Sequence, residues 1–275
     1  MDYNNLISGM KRFGSTEEDI LKMSLGVNAD EIRENVVIAP YWKPELLPGL
    51  GAADLLSSSE YGETQIWSIS CGINDMTYIR TGIGAPQFLE CLLPLGLTKC
   101  KRIVFIGSVG SMDADIAIGD IVIPEYSICG DGASRYLSSD DLTHDMFGEK
   151  VYPDQRMLDI ARNETMRICR DKNVRCHIGR AFGIDTIFAQ YAHIDTILGM
   201  GCNVIEMETA AAFRAAKLMG IPMVALLSVS DNTVTNKSLV SGRTQEDMEY
   251  RRYVRHELFP EIINSIFIKC ICKPS

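Results

Sequence analysis

Arg102-Ile103-Val104-Phe105-Ile106-Gly107-Ser108-Val109-Gly110 is the stretch on which the fold turns. Its apolar run suits a fully buried strand, and the glycine–serine end that follows reads as a tight turn. Upstream, Asn35-Val36-Val37-Ile38-Ala39 has the same buried-strand character and is stopped by Pro40. A Pro/Gly/Ser-rich stretch (44–59) then leads to strands at 65–70 and 76–80, the glycine turn Thr81-Gly82-Ile83-Gly84, and an amphipathic segment over 87–95. Downstream, Ile121-Val122-Ile123 follows the turn Gly119-Asp120, and a polar excursion spans 134–154. Beyond it the pattern predicts a helix over 155–172, a strand near 177–182, a helix over 208–219, a strand over 223–229 and a C-terminal helix over 245–268. Strands alternating with helices mean an α/β layered fold, which places its ligands at the strand ends. Residues 1–34 read as an N-terminal helical extension capped near Ser15 and Asn28, and 35–275 as a single domain without internal repeats.

Composition narrows the function. A chain of 275 residues with 46% hydrophobic and 23% charged side chains can bury a core without metals or disulfides. A net charge of −9 argues against a surface that binds nucleic acid or anionic membrane, though not against a locally positive pocket for a small anion. The nine cysteines are odd in number and scattered, with no CxxC pair, so neither zinc nor a disulfide framework is indicated and a reducing, cytoplasmic setting is expected. The four histidines have no ligand spacing, and no metal or organic cofactor is expected. The first ten residues lack a secretory pattern, no apolar run is long enough to span a bilayer, and Cys272-Lys273-Pro274-Ser275 reads as a frayed tail rather than a prenylation box.

Three stretches carry candidate chemistry. In Ile205-Glu206-Met207-Glu208-Thr209-Ala210-Ala211, two carboxylates flank a methionine at a strand-to-helix junction. Carboxylates accept paired hydroxyls and methionine makes an adaptable apolar floor, although acids at a helix start also simply complement its dipole. Ser230-Asp231-Asn232 closes a buried strand, where partial burial of Asp231 would raise its pKa toward proton donation; a turn or capping aspartate is the plainer reading. The backbone N–H groups of 107–110 and the Ser108 hydroxyl offer a cradle for an anion, or an ordinary turn.

Taken in order, GSVGS, IGDIVIP, DGAS, VIEMETAA and SVSDN over about residues 36–268 resemble the nucleoside phosphorylase superfamily. That group includes hexameric purine nucleoside phosphorylases, uridine phosphorylases and methylthioadenosine nucleosidases. The resemblance implies a three-layer α/β/α sandwich with a twisted, mostly parallel or mixed central sheet, assembled as a homodimer or homohexamer. It implies that Glu208 binds the ribose hydroxyls, Met207 packs on the sugar and Glu206 supports them. Asp231 becomes the general acid toward a purine N7, with Arg243 as the arginine that follows it. Ile187 and Phe188 fall at the base-stacking positions, and Ser108 and Gly110 at the substrate-facing glycine stretch. The expected reaction is cleavage of a purine-type nucleoside with phosphate as co-substrate, giving free base and pentose 1-phosphate.

The pattern breaks at the phosphate. The family's Gly-Asp-Pro-x-Arg loop is Ala39-Pro40-Tyr41-Trp42-Lys43 here, and the arginine before the glycine stretch is Phe105. Lys43, Arg80 and Ser108 are the candidates left to hold phosphate. Three readings stay open: a phosphorylase with a reworked phosphate site, a hydrolytic nucleosidase, and a nucleoside-binding protein without catalysis.

Overall fold

The computed structural model describes residues 2–60, 62–72, 74–137 and 141–272; the last three residues of the expected frayed tail lie outside them. Among these residues ten strands and eight α-helices follow in chain order. They are α1 (Tyr3–Arg12), α2 (Glu17–Leu25), β1 (Asn35–Ala39), β2 (Ala52–Ser58), β3 (Gln65–Ser70), β4 (Met76–Arg80), α3 (Ala85–Leu92), β5 (Arg102–Ser111) and β6 (Ile121–Cys129). The second half comprises β7 (Lys150–Val151), α4 (Gln155–Asp171), β8 (Cys176–Gly183), α5 (Ile187–Gly199), β9 (Val204–Glu206), α6 (Thr209–Met219), β10 (Met223–Asn232), α7 (Gln245–Tyr253) and α8 (Phe259–Ile271).

The strands form one mixed sheet running β10-β6-β8-β9-β5-β1-β4-β3-β2, with β7 paired to β6. An open sandwich layer does not describe it fully, because β10 also pairs with β5. The strands β5, β10, β6, β8 and β9 therefore close into a small ring, from which β1, β4, β3 and β2 extend as a wing. Helices cover both faces, and the two-residue period of the strands explains how. Val36, Ile38, Ile103 and Phe105 pack with Leu21 and Leu25 of α2, Phe88 of α3 and Phe213 of α6. The residues between them, Val37, Val104 and Ile106, pack instead with Met157 of α4 and Ile262 and Phe267 of α8. Each such fully buried aliphatic side chain contributes about 1.5–3 kcal/mol. The N-terminal segment takes part: Thr16, one residue after the expected Ser15, caps α2, whose Ile20, Leu21 and Leu25 are buried.

Two expected turns are strand instead. Residues 107–110 continue β5, and Ser230-Asp231-Asn232 continues β10. The parallel pairing Leu227↔Gly107, Ser228↔Ser108 and Val229↔Val109 supplies the ladder that a sequence window cannot show. Within the Pro/Gly/Ser-rich stretch, residues 52–58 form the exposed edge strand β2, held by its antiparallel register with β3. Helix α5, which follows the expected base-stacking positions, was not anticipated. The C-terminal helix is interrupted by a π-turn over Val254–Leu258, where the Phe259 N–H bonds to the Val254 carbonyl. Pro260 explains the break: it has no N–H to give the His256 carbonyl, and its ring would crowd that group in a regular helix.

Candidate active site

Gly110 is the point around which the site assembles. On one side β10 places Asp231 opposite it, after a bulge between Val229 and Asp231. On the other side β9 places Ile205 opposite it. The two acidic stretches thus reach one cavity from the strands flanking a single residue. A side chain at 110 would crowd its neighbours: a Cβ there would lie 3.2 Å from both Asp231 Oδ2 and Ile205 Cγ2, which would have to give by a few tenths of an ångström. The cavity, about 320 Å³, is bordered by Gly107, Ser108, Val109 and Gly110 on β5, the 205–208 junction, Ser230 and Asp231, and Arg243, Arg251 and Arg255. Its size is that of a small-ligand site.

The two glutamates have different fates. Glu206 turns back on its own chain, accepting the N–H groups of Glu208 at 2.6 Å and Thr209 at 2.7 Å, and the Thr209 hydroxyl. It fixes the start of α6 beside Glu208, as a supporting residue would, and it also borders the cavity. Burial drives its pKa up to about 7 despite those bonds. Glu208 faces the cavity, with Oε1 accepting the Gly84 N–H at 2.7 Å. Gly84 has φ of 98°, which glycine adopts freely. Burial, and then the neighbouring Glu206, raise the Glu208 pKa to about 8. Met207 borders the cavity between them.

Asp231 is 1% exposed. Its Oδ1 accepts the Ser230 hydroxyl at 2.6 Å, while Oδ2 is buried with no hydrogen-bond partner. Burial raises its pKa; the Ser230 bond and the Arg243 and Arg251 charges pull the other way without cancelling that rise. A carboxyl that holds its proton more tightly than usual beside a cavity is equipped to act as a general acid.

The other expected residues divide. Ser108, Gly110, Ile187 and Arg243 border the cavity, and Arg243 Nη2 donates to the Leu239 carbonyl at 2.7 Å. Phe188 does not border it: the ring is 92% exposed, one residue past Ile187 on the outer side of α5. The buried Gln190, one turn on, faces the cavity instead and presents both an amide donor and an acceptor. Lys43 is solvent-exposed, and it is its neighbours Tyr41 and Trp42 that line the cavity. Arg80 is likewise elsewhere, ion-paired to Glu63 and donating to the Tyr41 carbonyl at 3.2 Å and Gln65 Oε1 at 3.3 Å. Phe105 packs in the core against Phe88, their ring centroids 4.7 Å apart.

Besides Gln190, Tyr41 and Trp42, the cavity holds two arginines that the sequence pattern does not single out, Arg251 and Arg255. Arg251 Nη2 donates to Ser108 Oγ at 2.7 Å, across 143 residues of chain. The available clue was a like-charged pair four residues apart on one helix, which costs stability unless something compensates it. Helix α7 is seated by the 117–120 turn: Tyr250 Oη donates to the buried Asp120 at 3.4 Å, and Gly119 presses against the helix. Gly119 has φ of 91°, and a Cβ there would lie 2.5 Å from Tyr250 Cδ1 and 3.0 Å from the Arg251 nitrogen. Gly119→Ala is therefore expected to cost about 1–3 kcal/mol by denaturant unfolding, combining backbone strain with overpacking. It should also weaken ligand binding by displacing Arg251.

A profile of the phosphorylase superfamily matches residues 45–252. The guanosine phosphorylase of Halorubrum lacusprofundi is 26% identical over 187 residues, 66% of this chain and 73% of that protein. A DeoD-type purine nucleoside phosphorylase of Streptococcus gordonii is 23% identical over 164 residues, 58% of this chain and 64% of its own length. Among solved structures, uridine phosphorylase from Vibrio fischeri superimposes with a TM-score of 0.71 at 17% identity, covering 88% of this chain and 94% of that one. At that identity the likeness is one of fold.

Proposed function

This chain belongs to the phosphorylase superfamily, and from that membership we propose that it cleaves the N-glycosidic bond of a purine-type nucleoside with phosphate, releasing base and pentose 1-phosphate. One observation carries the reading: Asp231 and the Glu208 junction flank Gly110 on neighbouring strands and meet at one cavity. Breaking the bond builds positive charge on the sugar and negative charge on the departing base. Asp231, whose hold on a proton burial strengthens, hands its proton to the base nitrogen and removes the second charge. Glu208 accepts the sugar hydroxyls and Met207 packs beside the ring, holding the pentose in the geometry for attack. The guanidinium groups along the same cavity favour an anionic co-substrate over water, which supports phosphorolysis over hydrolysis.

The test is to incubate the purified protein with inosine, guanosine, adenosine, uridine and methylthioadenosine, with and without phosphate. Phosphate-dependent release of base with formation of pentose 1-phosphate is the expected result, and purine nucleosides should turn over faster than uridine. Free pentose in phosphate-free buffer would replace the reading with hydrolysis. Binding without turnover would end the catalytic assignment.

A further inference from the structure

We propose that Arg251 and Arg255, one turn apart across the start of the π-turn, form with the Ser108 hydroxyl a binding site for a phosphate-type oxyanion. The inference rests on the phosphorolytic reading for the identity of that anion as inorganic phosphate, and on the geometry alone for its charge and shape.

Three arginines border the cavity, and among the described residues none of them has a carboxylate within ion-pair distance. The Nε atoms of Arg251 and Arg255 are both buried with no hydrogen-bond partner. Burial and the neighbouring Arg255 and Arg243 push the Arg251 guanidinium down to about 10, so the cluster opposes its own charge. On a chain of net charge −9, such a concentration of unpaired positive charge needs a local compensation. A bound dianion supplies it.

The geometry is also fixed in advance. Arg251 spends one N–H on Ser108 Oγ, which accepts it and so has its own proton free to donate. Arg255 lies over the Trp42 ring, 5.7 Å from its centroid. Trp42 is itself held edge-on by Phe259 at 5.3 Å, and its carbonyl accepts the Tyr78 hydroxyl at 2.9 Å. Two guanidinium forks and a hydroxyl match a tetrahedral oxyanion with several acceptor oxygens, whereas a carboxylate would occupy one fork only. The anion site is therefore carried by the C-terminal helix, and Trp42 from the β1 loop serves as its platform.

Calorimetric titration of inorganic phosphate, in the absence of nucleoside, tests this on the wild type and on Arg251→Gln, Arg255→Gln and the double variant. Each single variant should bind phosphate at least about tenfold more weakly, the loss expected for one charged hydrogen-bonding group, with Arg251→Lys intermediate. Without phosphate, Arg251→Gln should melt no lower than wild type, because one repelling charge has gone; a purely structural arginine would give a fall. In steady-state assays the KM for phosphate should rise about as much as the binding weakens, and the KM for nucleoside far less. Unchanged phosphate binding in both single variants would overturn the site, whatever the enzyme's activity. Phosphate binding lost in the variants of a protein that cleaves no nucleoside would uphold the site and remove the phosphorolytic reading. Comparing nucleoside plus phosphate with nucleoside 5′-monophosphate alone distinguishes the source of the anion: turnover of the monophosphate without phosphate would assign the site to a substrate's own phosphate group.

Discussion

Replacing Asp231 with asparagine is expected to lower purine-nucleoside turnover by about 10²- to 10⁴-fold, the range in which a positioned general acid contributes. The fold should survive, because the substitution preserves volume and the Oδ1 that accepts the Ser230 hydroxyl. The asparagine amide can still donate a hydrogen bond but has no proton to give away. A purine already methylated at N7 leaves as a neutral base without protonation. The variant should therefore cleave 7-methylguanosine with far less loss than inosine, and equal losses on both would remove Asp231 as the acid. The pH dependence has a defined sign. Burial raises the Asp231 pKa, so its acid form is complete at low pH and is lost as pH rises through that raised value. A descending limb in wild-type turnover that vanishes in Asp231→Asn is the expected signature.

The second large effect concerns Glu208. Its pKa of about 8 means that the unliganded protein holds a proton there at neutral pH. Sugar hydroxyls donating to the carboxylate favour its ionised form, so nucleoside binding near pH 7 should release a proton. Calorimetry in buffers of different ionisation enthalpy measures that release, and Glu208→Gln should abolish it. The same variant should lose about 10- to 100-fold in kcat/KM, corresponding to hydrogen bonds made to a charged group. Stability follows from linkage. The folded state holds a proton that the unfolded chain gives up around 4.5, so this group's contribution is fully present below 4.5 and disappears as pH rises through about 8. Unliganded Glu208→Gln should therefore show a smaller fall in melting temperature across that window than wild type. Identical slopes would mean that Glu208 is ionised throughout.

The candidate site was legible in part, and the boundary follows chain distance. Glu206, Met207 and Glu208 announce themselves within one short window, yet the window cannot tell that Glu206 spends its oxygens on the Glu208 and Thr209 N–H groups while Glu208 faces the cavity. Ile187 and Phe188 are adjacent and equally apolar, and only the direction of the first turn of α5 puts one at the cavity and the other in solvent. Cation candidates were sought near the glycine turns, in Lys43 and Arg80. Arg243 does border the cavity as expected, but Arg251 and Arg255 come from the C-terminal helix, which packs against the 117–120 turn. Arg80 ends β4 opposite Gln65, and its partner Glu63 stands just before β3 at the same open end of that antiparallel pair.

By itself the sequence determined the alternation of strand and helix, since burying both faces of a strand requires uninterrupted runs such as Ile103-Val104-Phe105-Ile106, and helices must supply the cover. It also determined which acids were available for chemistry. Tertiary structure alone decided that β10 closes back onto β5, because backbone hydrogen bonds between strands more than a hundred residues apart leave no mark on either segment. The same closure turns two apparent glycine and aspartate turns into paired strands, sets Asp231 and Ile205 on either side of Gly110, and brings Arg251 to Ser108. Local composition fixes what a segment can bury; only the completed sheet fixes what stands opposite what.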